Sequence, residues 1–78
     1  MSQGYSTNLV AENRKGSLRH VGVALGRACI KQGVSVLDVS FHFRVSRQTV
    51  YNWFKGDTHP LPAQVEAIRR YITTHSKK

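Results

Sequence analysis

The spacing of apolar residues along the chain predicts helices from end to end and no strand of useful length. Between residues 17 and 32, apolar side chains recur every three or four positions, which is the period of a helix with one buried face. That face comprises Leu18, Val21, Leu25, Ala28 and Cys29. Ser17 is suited to begin this helix as its N-cap, and Gly33 is suited to end it at the C′ position.

Two glycines, Gly22 and Gly26, interrupt the same predicted helix beside its apolar face. A glycine inside a helix is less stable than alanine by roughly 1 kcal/mol, so two of them four residues apart weaken the helix on their own account. We expect them to allow the close approach of another helix.

Two short helices joined by a tight turn are predicted next. Ser35, with Asp38 three residues later, forms a weak capping box at the start of the first. Its inward positions are Val36, Val39, Ser40 and Phe43. Arg44 and Val45 turn the chain.

The second short helix is capped by Ser46 and runs to about Lys55, where Gly56 ends it. Val50, Trp53 and Phe54 form its buried face, with Val45 packed just ahead of it. The same geometry turns other side chains outward, namely Arg47, Gln48, Thr49 in part, Tyr51 and Asn52.

A last helix is predicted from about Leu61 or Pro62 to Thr74, since proline suits the first helical turn. Its apolar stripe is Val65, Ile68 and Ile72, with Ala67 or Tyr71 at the margin. The flanks divide into a flexible arm over residues 1–16, with room for one helical turn near Leu9, and a basic tail over residues 75–78. The prediction is one compact all-α bundle of four to five helices over residues 17–74.

Charge narrows the class of partner. Twelve Lys and Arg residues oppose four Asp and Glu residues, for a formal net charge of +8. Such a domain attracts polyanions through long-range electrostatics and counterion release, and nucleic acid is favoured over an anionic membrane. No apolar run approaches the roughly 18 residues of a membrane span, and residues 1–16 lack the apolar core of a secretory signal. With one cysteine, Cys29, a reducing cytoplasm is expected.

Residues that would support catalysis or metal binding are scattered. The four histidines do not recur at metal-ligand spacing, and Cys29 is better explained as a small buried apolar residue. No paired carboxylates, no Ser-His-Asp arrangement and no phosphate loop stand out. We therefore expect a protein that is not an enzyme, with no metal, no cofactor and no small-molecule ligand.

One longer pattern runs through the two short helices and the loop after them. It consists of a small residue, three variable residues, a turn residue and an aliphatic one, then further apolar positions, a glycine and a proline. In this chain these positions are Ser40, Arg44, Val45, Val50, Trp53, Gly56 and Pro60. Over residues 18–72 the chain resembles the helix-turn-helix proteins of the lambda repressor/Cro type, also called the Xre type.

Three positions depart from the usual pattern of that family. Arg44 stands where glycine usually adopts the left-handed conformation of the turn. Ser40 replaces the usual alanine, and Val36 replaces a glutamine that in many members touches a phosphate.

The resemblance implies that the helix over residues 46–55 lies in the DNA major groove. By position, Arg47, Gln48 and Asn52 would read base edges, because arginine pairs with guanine and the amides pair with adenine. The residues placed to contact phosphates are Ser35, Arg44, Ser46, Thr49, Tyr51 and Lys55.

The expected function is therefore sequence-specific binding of double-stranded DNA by a small phage or bacterial transcription regulator of the repressor type, in the nucleoid of a bacterial host. One such motif reads few base pairs, which favours a homodimer on DNA. Two alternatives remain open. In the first, the chain is a protein-binding module that docks on host machinery through an exposed patch at Leu37, Phe41 or Tyr71. In the second, it is an accessory factor for DNA bending or recombination.

Overall fold

The computed structural model of the chain describes residues 7–76, and these form five α-helices without a strand. The helices are α1 (Thr7–Lys15), α2 (Val21–Gln32), α3 (Val36–Phe43), α4 (Arg47–Lys55) and α5 (Pro62–Ser76). The predicted all-α bundle of four to five helices is confirmed, and the described residues form five. None of the helices in residues 7–76 is both long enough and apolar enough to cross a membrane.

The second helix lies at the centre of the bundle. It packs against α4 on one side and α5 on another, while α1 contacts α4 and α2, and α3 packs on α4. The apolar core between these helices is continuous. Its buried members are Leu9, Leu25, Cys29, Val36, Val39, Val50, Trp53, Phe54, Ile68 and Tyr71.

The two glycines of α2 bring α4 unusually close, as the sequence predicted. A Cβ atom on Gly22 would lie 2.6 Å from the carbonyl oxygen of Trp53. A Cβ atom on Gly26 would lie 2.7 Å from Cγ of Phe54. Neither position can hold a larger residue unless α4 or its side chains move, and at Gly26 the Asn13 side chain of α1, 2.6 Å away, must move as well.

The start of α2 was predicted wrongly. The helix begins at Val21, and its N-cap is His20, whose Nδ1 accepts hydrogen bonds from the N–H groups of Gly22 and Val23. Ser17 instead belongs to the preceding turn, where its hydroxyl accepts a hydrogen bond from the N–H of Arg19. The predicted helix is therefore about one turn too long at its N-terminal end.

The predicted buried face of α2 changes accordingly. Leu18 lies ahead of the helix and is 57% exposed, whereas Leu25 and Cys29 are buried as expected. Val23, which the predicted face omitted, is completely buried. Val21 and Ala28 are half-buried.

The flexible arm predicted for residues 1–16 is wrong for Thr7–Lys15, which form α1. Leu9 is buried in the common core, and the side chain of Asn13 is buried among backbone carbonyls of α2 and α4. Two buried anchors on successive turns of the helix fix it to the bundle. The first six residues of the predicted arm lie outside the described residues.

The α3–turn–α4 segment has the predicted boundaries. Ser35 and Ser46 cap the two helices through their hydroxyls. Arg44 has a φ of 58° and takes the left-handed conformation that the resemblance assigns to a glycine. The N–H of Val45 then donates to the carbonyl of Ser40 at 3.0 Å, closing the turn.

The last helix extends to Ser76, beyond the predicted end at Thr74, so the proposed tail begins inside a helix. Ile68 and Tyr71 are its most buried apolar residues. Tyr71 therefore belongs to the core and not to the margin, and Ala67 is exposed. Lys77 and Lys78 lie outside the described residues.

Candidate nucleic-acid interface

The fourth helix has one side in the core and one side on the surface. Val50, Trp53 and Phe54 are buried, as the apolar spacing predicted. Arg47 and Gln48, in the first turn, are exposed. Two of the side chains expected to read bases, Arg47 and Gln48, are therefore on the solvent-exposed side of α4, and the opposite side of the helix is buried in the core.

The start of α4 is a well-defined cap. The hydroxyl of Ser46 accepts a hydrogen bond from the N–H of Thr49 at 3.1 Å and lies 3.0 Å from the Thr49 hydroxyl. Ser46 is exposed and Thr49 is half-buried. The N–H groups of the first helical turn have no acceptor within their own helix, so an anion can bind there. Phosphate contact by Ser46 and Thr49 is compatible with capping.

Two of the predicted base-reading side chains are hydrogen-bonded to each other. Nε2 of Gln48 donates to Oδ1 of Asn52 at 3.0 Å, one helical turn away. Asn52 is half-buried, whereas Gln48 is exposed. The bond leaves Oε1 of Gln48 and Nδ2 of Asn52 outside this contact, so a base edge would meet an ordered pair of amides.

The predicted phosphate contact of Lys55 faces competition from a carboxylate. Its Nζ lies 3.4 Å from Oδ2 of Asp57, and the Lys55 side chain is 32% exposed. An ion pair this open to water is weak, with a typical worth of about 0–1 kcal/mol. Lys55 is therefore available to a phosphate that displaces Asp57.

Two of the predicted phosphate-contacting residues lie at the two ends of α3. Arg44 is exposed in the turn that leads into α4. Ser35 is half-buried at the other end of the helix, where its hydroxyl accepts from the N–H of Asp38. Eight helical residues separate them, a length of roughly 12 Å at 1.5 Å per residue. Arg44 ends α3 next to the turn that leads into α4, whereas Ser35 begins α3 at its other end.

A surface groove lies between α3 and the exposed side of α4. It joins predicted DNA-contacting residues to two large apolar side chains, Leu37 and Phe41, which are 46% and 72% exposed. Its lining consists of Leu37, Ser40, Phe41, Val45, Ser46, Arg47, Gln48 and Tyr51. Leu37 and Phe41 lie beside Arg47 because of how α3 packs against α4, which the sequence does not reveal. The sequence shows only that Leu37 and Phe41 are four residues apart and therefore share one side of α3.

A second groove borders the other side of α4 and is formed with α1. Its lining consists of Asn8, Leu9, Glu12, Gln48, Tyr51, Lys55 and Asp57. Gln48 and Tyr51 line both grooves, so they form the ridge between them. The sequence did not predict that α1 would border the interface, and Glu12 and Asp57 place negative charge along this edge.

Behind α4, a buried hydrogen-bond network ties three helices together. Nδ2 of Asn13 donates to the carbonyl of Val23 at 3.1 Å and to the carbonyl of Phe54 at 2.7 Å. Arg27 then donates from Nε to Oδ1 of Asn13 at 3.1 Å. Its terminal nitrogen donates to the backbone carbonyl of Asn13 at 3.1 Å. The network fixes the end of α4 from the inside, opposite the exposed surface.

The titratable groups with shifted pKa values lie away from the exposed side of α4. Burial raises the pKa of the Cys29 thiol to about 12, which fits its predicted role as a small core residue. Burial also raises the pKa of Tyr71, with smaller effects from the charges of Cys29 and Asp38. Tyr71 is buried, so it does not contribute to an exposed apolar patch.

The pKa of His20 is lowered because the ring is partly buried and because the charge of His59 opposes its protonation. The two rings stack with their centroids 4.1 Å apart. Backbone hydrogen bonding at Thr58 and at His20 itself acts in the opposite direction. Within residues 7–76, no group of three or more His, Cys, Asp or Glu residues is arranged to hold a metal ion.

Comparisons with protein-family models, with curated proteins and with solved structures found no match to this chain.

Proposed function

We propose that this chain is a small, sequence-specific double-stranded DNA-binding protein that reads the major groove with α4. The observation that carries the proposal is the exposure of Arg47 and Gln48 at the start of a helix whose opposite face is buried. The setting is a domain with a net charge of +8. A phage or bacterial transcription regulator of the repressor type, acting at the nucleoid in the cytoplasm, fits this combination best.

The exposed chemistry of α4 suits base edges. The guanidinium of Arg47 can donate two hydrogen bonds to O6 and N7 of guanine. Gln48 and Asn52 can each pair with N6 and N7 of adenine, and their mutual hydrogen bond orients both amides before DNA arrives. The major groove is about 12 Å wide and accepts one α-helix.

Phosphate contacts would set the register of α4 in the groove. Arg44 is exposed just ahead of α4, and Tyr51 lies on the ridge between the two grooves. Ser46 and Thr49 flank the first turn, and Lys55 lies at the other end of α4. Ser35 lies at the opposite end of α3 from Arg44.

The decisive experiment is a titration of labelled duplex at two salt concentrations, followed by selection of preferred sequences from a random pool. A regulator of this kind binds random duplex with a steep dependence on salt and also selects a motif. Analytical ultracentrifugation of the protein with the selected site would show whether two copies bind, as expected for a homodimer on two half-sites. Absence of binding at low salt would contradict the proposal.

We predict that Arg47→Ala weakens binding to the selected site by roughly 1–3 kcal/mol and relaxes the preference at one base pair. The matched control is Arg69→Ala, which removes the same charge from an exposed position on α5. Both variants should unfold at the denaturant concentration of the parent. Equal losses for Arg47→Ala on all sequences would show that Arg47 meets phosphates only.

A second candidate function is protein binding without DNA, and the exposure of Leu37 and Phe41 favours it. It predicts that no duplex binds, even at low salt, while changes at these two residues abolish capture of a host protein. An accessory role in DNA bending or recombination would instead give salt-dependent binding that bends the duplex and selects no strong motif. The proposal assigns no catalytic step and no cofactor.

A further inference from the structure

Leu37 and Phe41 form a solvent-facing apolar pair on α3. They lie four residues apart, on the same side of the helix, and are 46% and 72% exposed. The neighbouring positions Val36 and Ser40 are buried, so the pair is not a frayed part of the core. Exposed apolar side chains that adjoin one another are a common mark of a binding surface.

The other exposed side chains of α3 face elsewhere. The ring of His42 lies 4.7 Å from the ring of Tyr71 on α5. The charge of Asp38 also acts on Tyr71. Neither Asp38 nor His42 lines the groove that contains Leu37 and Phe41, and Arg47 is the charged residue among its lining.

The chemistry of this groove restricts its occupant. A ligand must offer apolar groups to Leu37 and Phe41 and negative charge to Arg47. A second copy of the chain, placed symmetrically on this groove, would bring its own Arg47 toward the first one. The DNA major groove offers both chemistries together, because thymine presents its C5-methyl group there and guanine presents the electronegative acceptors O6 and N7, which arginine contacts.

Resting on the proposed DNA-binding function, we propose that Phe41, with Leu37 beside it, contacts the C5-methyl group of a thymine next to the bases met by Arg47 and Gln48. The apolar pair is then a determinant of sequence preference at the edge of the site. Phenylalanine is among the side chains that make apolar contact with the thymine methyl.

The test replaces each thymine of the selected duplex by uracil, one at a time, which removes only the methyl group. For the parent protein, one position flanking the Arg47 contact should lose about fourfold in affinity, the ratio expected when one buried methyl-sized group is removed. For Phe41→Ala the same replacement should have no effect. The parent on uracil and the variant on thymine should bind about equally well.

The control is Leu61→Ala, which truncates an apolar side chain that is 66% exposed in the loop before α5. It should retain the parent's discrimination between thymine and uracil. Phe41 is exposed, so circular dichroism should show an unchanged melting temperature for Phe41→Ala.

Several results would overturn the inference while leaving DNA binding intact. These are a Phe41→Ala protein that still distinguishes thymine from uracil, a selected site with no thymine at the flank, and a Phe41→Ala protein whose only defect is loss of self-association. Phe41-dependent capture of a protein, with unchanged discrimination on DNA, would assign the pair to a protein partner. If the parent binds no duplex, the proposed function itself fails and this inference falls with it.

Discussion

The two sides of α4 differ in burial and chemistry: one is closely packed in the core and the other is polar and exposed to solvent. On the inner side, Gly22 and Gly26 let the backbone of α2 approach α4, and Asn13 donates two hydrogen bonds into the same region. On the outer side, Arg47 and Gln48 extend into solvent from the first turn. The inner side tolerates little change in volume or hydrogen bonding, whereas the outer side can vary at little cost to the fold.

The comparison separates two measurable quantities. Substitutions on the inner side should lower the free energy of unfolding far more than they change the DNA affinity of the folded fraction. Substitutions on the outer side, such as Arg47→Ala, should do the reverse. If inner-side and outer-side substitutions each lowered both the free energy of unfolding and the DNA affinity, the two sides of α4 would not have the separate roles that we infer.

The largest effect is expected from Asn13→Ala. It removes the donors to the carbonyls of Val23 and Phe54 and an acceptor for Arg27, and we expect a loss of about 3 kcal/mol in the free energy of unfolding. Urea denaturation followed by Trp53 fluorescence would measure it. Asn13→Asp keeps the shape and the acceptor for Arg27 but places a carboxylate oxygen beside the two carbonyls, so it should not rescue the loss.

The control for this prediction is Asn8→Ala, an exposed position on the same helix. It should change the free energy of unfolding by less than about 0.5 kcal/mol. If Asn13→Ala were as mild as Asn8→Ala, the buried network would not be what holds α1 to the bundle.

Gly22→Ala should be the next largest change. The added Cβ would meet the carbonyl oxygen of Trp53 at 2.6 Å, and because this atom is backbone, α4 must move away from α2. Overpacking of about 3 kcal/mol, less about 1 kcal/mol gained from the helix preference of alanine, leaves a net loss of about 2 kcal/mol. Thermal unfolding would measure it, with Gln32→Ala, exposed on the same helix, as the control. A stabilised Gly22→Ala protein would refute the close approach.

These inner contacts also show what the sequence could and could not predict. The caps at Ser35 and Ser46 and the left-handed ends at Gly33 and Gly56 follow from local chemistry, and they were predicted correctly. Local rules also gave the buried face of α4, because its apolar residues recur at the helical period.

The failures share a physical cause. His20 is an unusual N-cap whose ring stacks on that of His59, so Ser17 is the better choice on local grounds alone. The burial of Asn13 depends on carbonyls contributed by two other helices, and a polar residue gives no apolar signal. Tertiary contacts decided both cases.

The candidate interface divides in the same way. The exposure of Arg47 and Gln48 was predictable because it is the complement of a buried stripe. Two features were not, namely the ion pair of Lys55 with Asp57 and the groove shared by Phe41 and Arg47. The first depends on how the chain turns after Gly56, and the second on where α3 lies against α4.

A smaller effect is expected on the pH dependence of stability, through His20 at the start of α2. Nδ1 of His20 accepts two backbone hydrogen bonds, which requires the neutral ring, and its pKa lies below the ordinary 6.5 because of burial and His59. The unfolded chain therefore takes up a proton more readily than the folded one. The contribution of His20 should be full above pH 6.5 and decline as the pH falls below it.

We expect the decline to reach about 1 kcal/mol, the usual worth of a helix cap. Urea unfolding at roughly pH 8 and pH 5 would measure it. His20→Asn keeps a side-chain acceptor that does not titrate, so its stability should depend less on pH than that of the parent. His59→Gln separates the effect of the neighbouring charge. Identical pH dependence in the parent and in His20→Asn would exclude His20 as its source.

The smallest effect is expected where the two sides meet, at the end of α4. Asp57→Asn removes the carboxylate that lies 3.4 Å from Nζ of Lys55, in an ion pair too exposed to contribute more than about 0.5 kcal/mol to stability. The effect on DNA should be larger than the effect on folding. With Lys55 released toward a phosphate, affinity at low salt should rise, and the slope of log affinity against log salt should steepen by up to about 1.

The matched control for Asp57→Asn is Glu66→Gln, which removes the same charge from another exposed ion pair, 3.7 Å from Arg70 on α5. Both variants raise the net charge by one unit, but only Asp57→Asn frees a cation on α4. A steeper salt slope in Asp57→Asn alone would therefore place Lys55 at the DNA backbone. Equal gains in the two variants would mean that net charge is responsible, and the predicted phosphate contact of Lys55 would be wrong.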